Sequence, residues 1–169
     1  MTMITGIERT KKKNVSSIGK IRNYSEVIEY LDSIVPYEYS QESLNRIQLL
    51  DNALGNPSTK IDTILVCGTN GKSSTIHFAT KLLKEEGFKV ATTYSNHFLN
   101  YNERITVDAQ NIGNKPFTDL VNEIINTAEL HNIKATTYEI MLMTSLLNFV
   151  ADKADVAIPF TPIADTLIS

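Results

Sequence analysis

A chain of 169 residues with 42% hydrophobic and 21% charged side chains has the material for a single globular domain with a core, which excludes disorder as the default reading. A net charge of −3 and a pI near 5.6 exclude binding to nucleic acid through a broad basic surface, though not local binding of an anion. A lone cysteine, Cys67, excludes an intrachain disulfide, no Cys/His cluster has structural-zinc spacing, and no apolar run approaches the ~18 residues that span a bilayer; the expected setting is the reducing cytoplasm, with no membrane partner.

Residues 1–22 carry Arg9, Lys11, Lys12, Lys13, Lys20 and Arg22 without an apolar period and read as a solvated basic tail. Its opening, Met1-Thr2-Met3-Ile4-Thr5, resembles the start of the β-galactosidase fragment carried by cloning vectors. From Tyr24, the spacing of Val27, Ile28, Leu31 and Ile34 predicts a helix that Pro36 ends. A second helix is predicted from Gln41 to Leu54 through Leu44, Ile47 and Leu50, stopped by Gly55-Asn56-Pro57. Ile61–Cys67 is a short run rich in β-branched residues, which suits a strand buried on both faces of a parallel sheet. The segment Gly68–Thr75 follows, then an amphipathic helix through Ile76, Ala79 and Leu83 and a strand over Phe88–Tyr94, so that 61–94 reads as a βαβ unit.

Arg104–Ala109 is predicted as a short strand, and Phe117, Leu120, Val121, Ile124, Ile125 and Ala128 trace one face of a helix. Thr137–Ala151 is apolar on nearly every side and is expected to be a buried helix, followed by a buried strand over Ala154–Phe160. This alternation predicts an α/β domain over residues 23–160, a three-layer αβα P-loop architecture with a mainly parallel sheet, and a divergent tail over 161–169.

The loop from Gly68 to Ser74 carries the strongest chemical signal, because it falls where a phosphate-binding loop must fall, between a buried strand and a helix N-terminus. Gly68 and Gly71 allow backbone N–H groups to approach phosphate oxygens, with Thr69 and Asn70 between them, and the helix dipole adds a favourable field. Lys72 can supply positive charge toward the β- and γ-phosphates, and Ser73 or Ser74 a hydroxyl near the phosphates or their Mg²⁺. The strict Walker pattern needs glycine at position 66, where this chain has Val66, which weakens a generic kinase or GTPase assignment. A glycine-rich turn with an exposed lysine is the alternative without function.

The string Gly-Thr-Asn-Gly-Lys resembles the phosphate loop of the Mur ligase superfamily. Within it, Leu44-Asn45-Arg46-Ile47, Leu54-Gly55-Asn56-Pro57, Cys67–Ser74, Asn102-Glu103-Arg104-Ile105 and Thr137-Tyr138-Glu139 follow the order and approximate spacing of folylpolyglutamate/dihydrofolate synthases, over about residues 24–158. The resemblance implies a ligase that uses ATP and Mg²⁺ to convert a folate or dihydropteroate carboxylate into an acyl phosphate, which the amino group of glutamate attacks. It also places Ser95, in Tyr94-Ser95-Asn96-His97, where a serine of the family contributes to the metal site, although Asn96 stands where the family has proline.

His97 could then act as a ligand or an acid/base, or be polar surface. Glu103 and Arg104 would shape the pterin or nucleotide side of the site, or form a structural ion pair. Glu139 suggests a catalytic carboxylate, yet Thr136-x-x-Glu139 is also a capping box before a helix, and the cap is favoured. Cys67 reads as a small buried residue with no identifiable base beside it.

The family continues from the strand at Asp155-Val156-Ala157 into a Leu-Glu-Val-Gly-like segment whose glutamate binds Mg²⁺. This chain instead reads Ile158-Pro159-Phe160-Thr161-Pro162 and stops at Ser169, so no residue inherits that role. The expectation is therefore a truncated piece of such a ligase, inactive alone. The alternatives are a non-catalytic nucleotide-binding or interaction module, or part of a peptidoglycan-precursor Mur ligase.

Overall fold

The computed structural model describes residues 19–35, 41–66, 68, 70–94, 97 and 99–160. The expectations for most of the basic tail, for Pro36, Cys67, Thr69, Ser95 and Asn96, and for the divergent tail over 161–169 lie outside the described residues.

Among the described residues, five α-helices and five strands alternate in part: α1 (Tyr24–Ser33), α2 (Gln41–Ala53), β1 (Asp62–Thr63), α3 (Lys72–Glu85), β2 (Val90–Thr93), β3 (Ile105–Val107), β4 (Gln110–Asn111), α4 (Asn114–Leu130), α5 (Thr137–Ala151) and β5 (Val156–Ile158). The start signals are local. Asn23 and Glu26 close a capping box on α1, and Thr136 and Glu139 close one on α5, with Glu139 Oε2 accepting from the Thr136 N–H at 2.8 Å. The favoured cap reading of Glu139 is thus the one the fold adopts. After α2, Gly55 and Asn56 take left-handed conformations (φ 82° and 55°) and Pro57 opens a short 3-10 turn, so Leu54-Gly55-Asn56-Pro57 acts here as a chain reversal. The Asp51 carboxylate secures it by accepting from Ser58 N–H at 3.0 Å and Ser58 Oγ at 2.7 Å.

The strands form one mixed sheet in the order β1-β5-β2-β3-β4, parallel across β1, β5 and β2 and antiparallel beyond. The unit predicted over 61–94 therefore closes with β5 inserted between its two strands. Alternate residues serve opposite faces. Ala91 and Ala157 join a large core with α1, α2, α4 and α5, while Val90, Val156 and Ile158 pack with Ile76, Ala79 and Leu83 of α3 in a smaller one. This is the expected three-layer α/β arrangement, with unequal outer layers.

Three expectations need correction. The strand predicted over Ile61–Cys67 as buried on both faces is two residues long and exposed, with Ile64 and Leu65 43% and 55% accessible. Among the described residues it sits at the sheet edge with β5 as its one neighbour, so its apolar run has cover there on one flank only. The strand predicted through Ala109 ends at Val107, because Asp108 and Ala109 are both left-handed (φ 52° and 63°) and reverse the chain into β4. Arg22, assigned to the solvated tail, is 7% exposed. Its N–H donates to Asn122 Oδ1 at 2.9 Å, its own carbonyl accepts from Asn122 Nδ2 at 2.8 Å, and its guanidinium pairs with Glu129 at 2.9 Å.

Candidate functional site

The parallel strands β1, β5 and β2 end on the same side of the sheet, the side where open α/β sheets hold their ligands. There the chain leaves the β1 side at Val66, which bridges in parallel to Phe160 beyond β5, and turns into α3. Gly68 (φ 137°) and Gly71 (φ 81°) occupy backbone conformations that a side chain disfavours, and nothing lies within 4 Å of a Cβ added at Gly71. The glycine requirement is conformational there rather than steric. Gly71 is the N-cap of α3, and its carbonyl accepts the first helical bond from Thr75 N–H at 2.9 Å. No side chain caps this end and its first turn holds no acidic residue, so the positive end of a 14-residue helix is not neutralised by a carboxylate of its own.

Asn70, Ser73 and Ser74 are exposed around that end. Lys72 folds back over the loop, its ammonium donating to the Gly68 carbonyl and lying 5.6 Å from the centre of the Phe160 ring. Phe160 is in turn fixed by its N–H, which donates to Thr93 Oγ1 at 2.6 Å.

Phe160 also forms one wall of a cleft of about 580 Å³ lined by, among others, Tyr94, Tyr101, Arg104, Tyr138 and Glu139. The glycine loop and this aromatic cleft therefore abut across one ring. Glu139, 1% exposed, pairs with Arg46 of α2, whose Nε and Nη2 lie 3.1 and 3.0 Å from Oε1. Arg46 Nη2 also donates to Ser43 Oγ at 3.1 Å. The buried carboxylate thus holds α2 against the start of α5 while serving as its cap.

A second network occupies the wall formed by the 3-10 turn Tyr101–Arg104. Glu103 Oε1 accepts from Leu99 and Asn100 N–H at 3.1 and 3.3 Å, which caps the turn. Arg104 turns to His97, donating from Nε to Nδ1 at 2.8 Å, and its guanidinium stacks 5.0 Å over the Tyr101 ring. The His97 and Tyr101 rings lie 4.6 Å apart. Burial first, and the Arg104 charge second, hold the His97 imidazole below its usual range, and burial lowers Arg104.

Tyr101 Oη donates to Asp32 Oδ1 at 2.7 Å, and burial followed by that bond pushes its phenol up from 10.0 to about 12. Because the folded state favours the protonated phenol, the stability it contributes is present below pH 10 and lost as pH rises toward 12. Ultraviolet titration should accordingly show a tyrosinate step near pH 12 that disappears in Tyr101→Phe; an unchanged step would assign it elsewhere.

Among the described residues no group of three or more His, Cys, Asp or Glu side chains could hold a metal ion. The donors present suit a nucleotide-borne Mg²⁺, which keeps waters and phosphate oxygens as ligands and needs few protein oxygens; Ser74 offers a hydroxyl on the exposed first turn of α3. No helix among the described residues is long and apolar enough to cross a membrane.

Sequence reasoning missed Asp32, Tyr101, Tyr94 and Phe160. Their partners lie far along the chain, 69 residues between Asp32 and Tyr101, so no local pattern marks them.

No family model matches the chain. It is 36% identical over 110 residues to the dihydrofolate synthase/folylpolyglutamate synthase of Bacillus subtilis, an alignment covering 63% of this chain and 26% of that protein. Its fold superposes on the folylpolyglutamate synthetase of Lactobacillus casei with a TM-score of 0.76 at 26% identity, over 85% of this chain and 37% of that one. E. coli FolC in complex with ADP gives a TM-score of 0.71 at 26% identity, over 81% and 32%. The chain thus spans about a quarter to a third of the length of the proteins it matches.

Proposed function

We propose, from the premise that this chain is a homologue of part of the folylpolyglutamate and dihydrofolate synthases, that it supplies the nucleotide-binding portion of an ATP-dependent ligase joining glutamate to a folate or dihydropteroate carboxylate. The observation that carries this reading is the uncapped, glycine-turned start of α3, with Lys72 beside it, set against an aromatic cleft at the carboxyl ends of the parallel strands. A carboxylate acylates an amine poorly until a better leaving group is installed. Phosphoryl transfer from ATP provides that group as an acyl phosphate, and the glutamate amine displaces the phosphate.

The residues of this chain have three tasks in that reaction. Backbone N–H groups of Gly68–Ser74 wrap the triphosphate, with Thr69 part of the loop. Lys72 leaves its resting place on Gly68 and Phe160 to neutralise charge on the transferring phosphate. The cleft holds the aromatic body of the folate so that its carboxylate meets the nucleotide, which is catalysis by positioning. Ser74, and Ser95 by its place in the sequence, are the hydroxyls for Mg²⁺, which adds charge neutralisation. The cytoplasm, where ATP is available, is the setting.

Calorimetric titration of the chain with Mg²⁺-ATP tests this. Lys72→Ala is expected to bind roughly ten- to a hundredfold more weakly, the ~1.5–3 kcal/mol of a charge-assisted hydrogen bond. Equal affinity in the two proteins would remove the phosphate-loop assignment.

A further inference from the structure

The aromatic cleft contains a cation that meets no carboxylate among the described residues. Arg22 and Arg46 each meet a carboxylate, Glu129 at 2.9 Å and Glu139 at 3.0 Å. Arg104, partly buried and on the cleft wall, meets none among the described residues. Of the five N–H donors of its guanidinium, Nε is used by His97 Nδ1 at 2.8 Å, and the plane rests on Tyr101. Both neighbouring carboxylates are engaged elsewhere, Asp32 of α1 by the Tyr101 hydroxyl and Glu103 by backbone N–H groups of the loop before it. Withdrawing a guanidinium from water without a counter-charge is unfavourable, so such a group is stabilised when a ligand brings the anion.

We propose that Arg104 is the docking residue for the carboxylate of an aromatic ligand in this cleft, and that His97 is its positioning residue, fixing the guanidinium through Nε so that the terminal N–H groups remain for the ligand. The ligand class follows from the walls: Tyr94, Tyr101, Tyr138 and Phe160 suit a flat ring system, and a planar fork suits a carboxylate.

This inference rests on the reading of the cleft as the substrate's place, and its test is independent of the phosphate loop. Pteroate and its uncharged methyl ester are titrated into the full chain without nucleotide. Wild type is expected to prefer pteroate by about tenfold or more, and Arg104→Gln to lose that preference. His97→Asn, whose Oδ1 can replace Nδ1 as acceptor, should bind pteroate as wild type does, whereas His97→Ala should bind pteroate about tenfold more weakly and the methyl ester unchanged.

Pteroate that fails to bind wild type, Arg104→Gln that retains the preference, or His97→Asn as weak as His97→Ala would each overturn the proposal. Far-ultraviolet circular dichroism identifies any variant that has not folded, and the preference of wild type for pteroate over its methyl ester then decides alone. If pteroate behaves as expected while Lys72→Ala binds Mg²⁺-ATP normally, the nucleotide reading fails and this one stands.

Discussion

Arg46→Met is expected to lower the free energy of unfolding by about 3–5 kcal/mol, because it strands the Glu139 carboxylate in the interior without its counter-charge. That side chain is 2% exposed, and Arg46 supplies it with both Nε and Nη2. Methionine fills most of the arginine volume, so the cost is electrostatic rather than a packing defect. The double variant Arg46→Met/Glu139→Gln separates these effects. Glutamine keeps the reciprocal cap on Thr136 and carries no charge, so most of the lost stability should return. Urea unfolding of wild type and both variants measures this; a double variant no more stable than the single one would show that the charge is not the cause.

Phe117→Ala carries the second large effect, a loss of about 3–5 kcal/mol through a cavity the surrounding helices can only partly close. Phe117 is wholly buried on α4 and its ring sits 6.1 Å from that of Tyr24 on α1, so its removal also loosens the helix pair. A fall in the melting midpoint of roughly 10 °C is expected. A shift of only a degree or two would mean that α1 and α4 repack.

The helices were legible in the sequence because each announces itself locally. The reading of a helix over about 137–151 matches the observed Thr137–Ala151, since Thr136 and Glu139 mark its start and a mostly apolar segment fills it. The glycine turn was legible for the same reason, as glycine spacing and a following amphipathic helix are neighbours in sequence. The β1 segment misled because a β-branched run states a preference for extended backbone and not how many neighbours it will have. The β3–β4 reversal was hidden by Asp108 and Ala109, which lack the glycine or asparagine that usually mark such a turn. The cleft is assembled from α1, α2, α5 and the ends of the sheet, so its polar pairings, Arg46 with Glu139 and Arg104 with His97, exist only after folding.

Stability is therefore distributed unevenly through this molecule. Among the described residues, four helices weigh on one side of the sheet and α3 alone on the other, where Phe78 and Leu82 are 63% and 65% accessible. The thin flank has little holding it shut, so it opens at a smaller free energy than the thick one and exchanges its amide protons sooner. The glycine loop belongs to that flank. Any anion bound at the start of α3 would also steady that helix, so by mass action its concentration would set how long this flank stays formed.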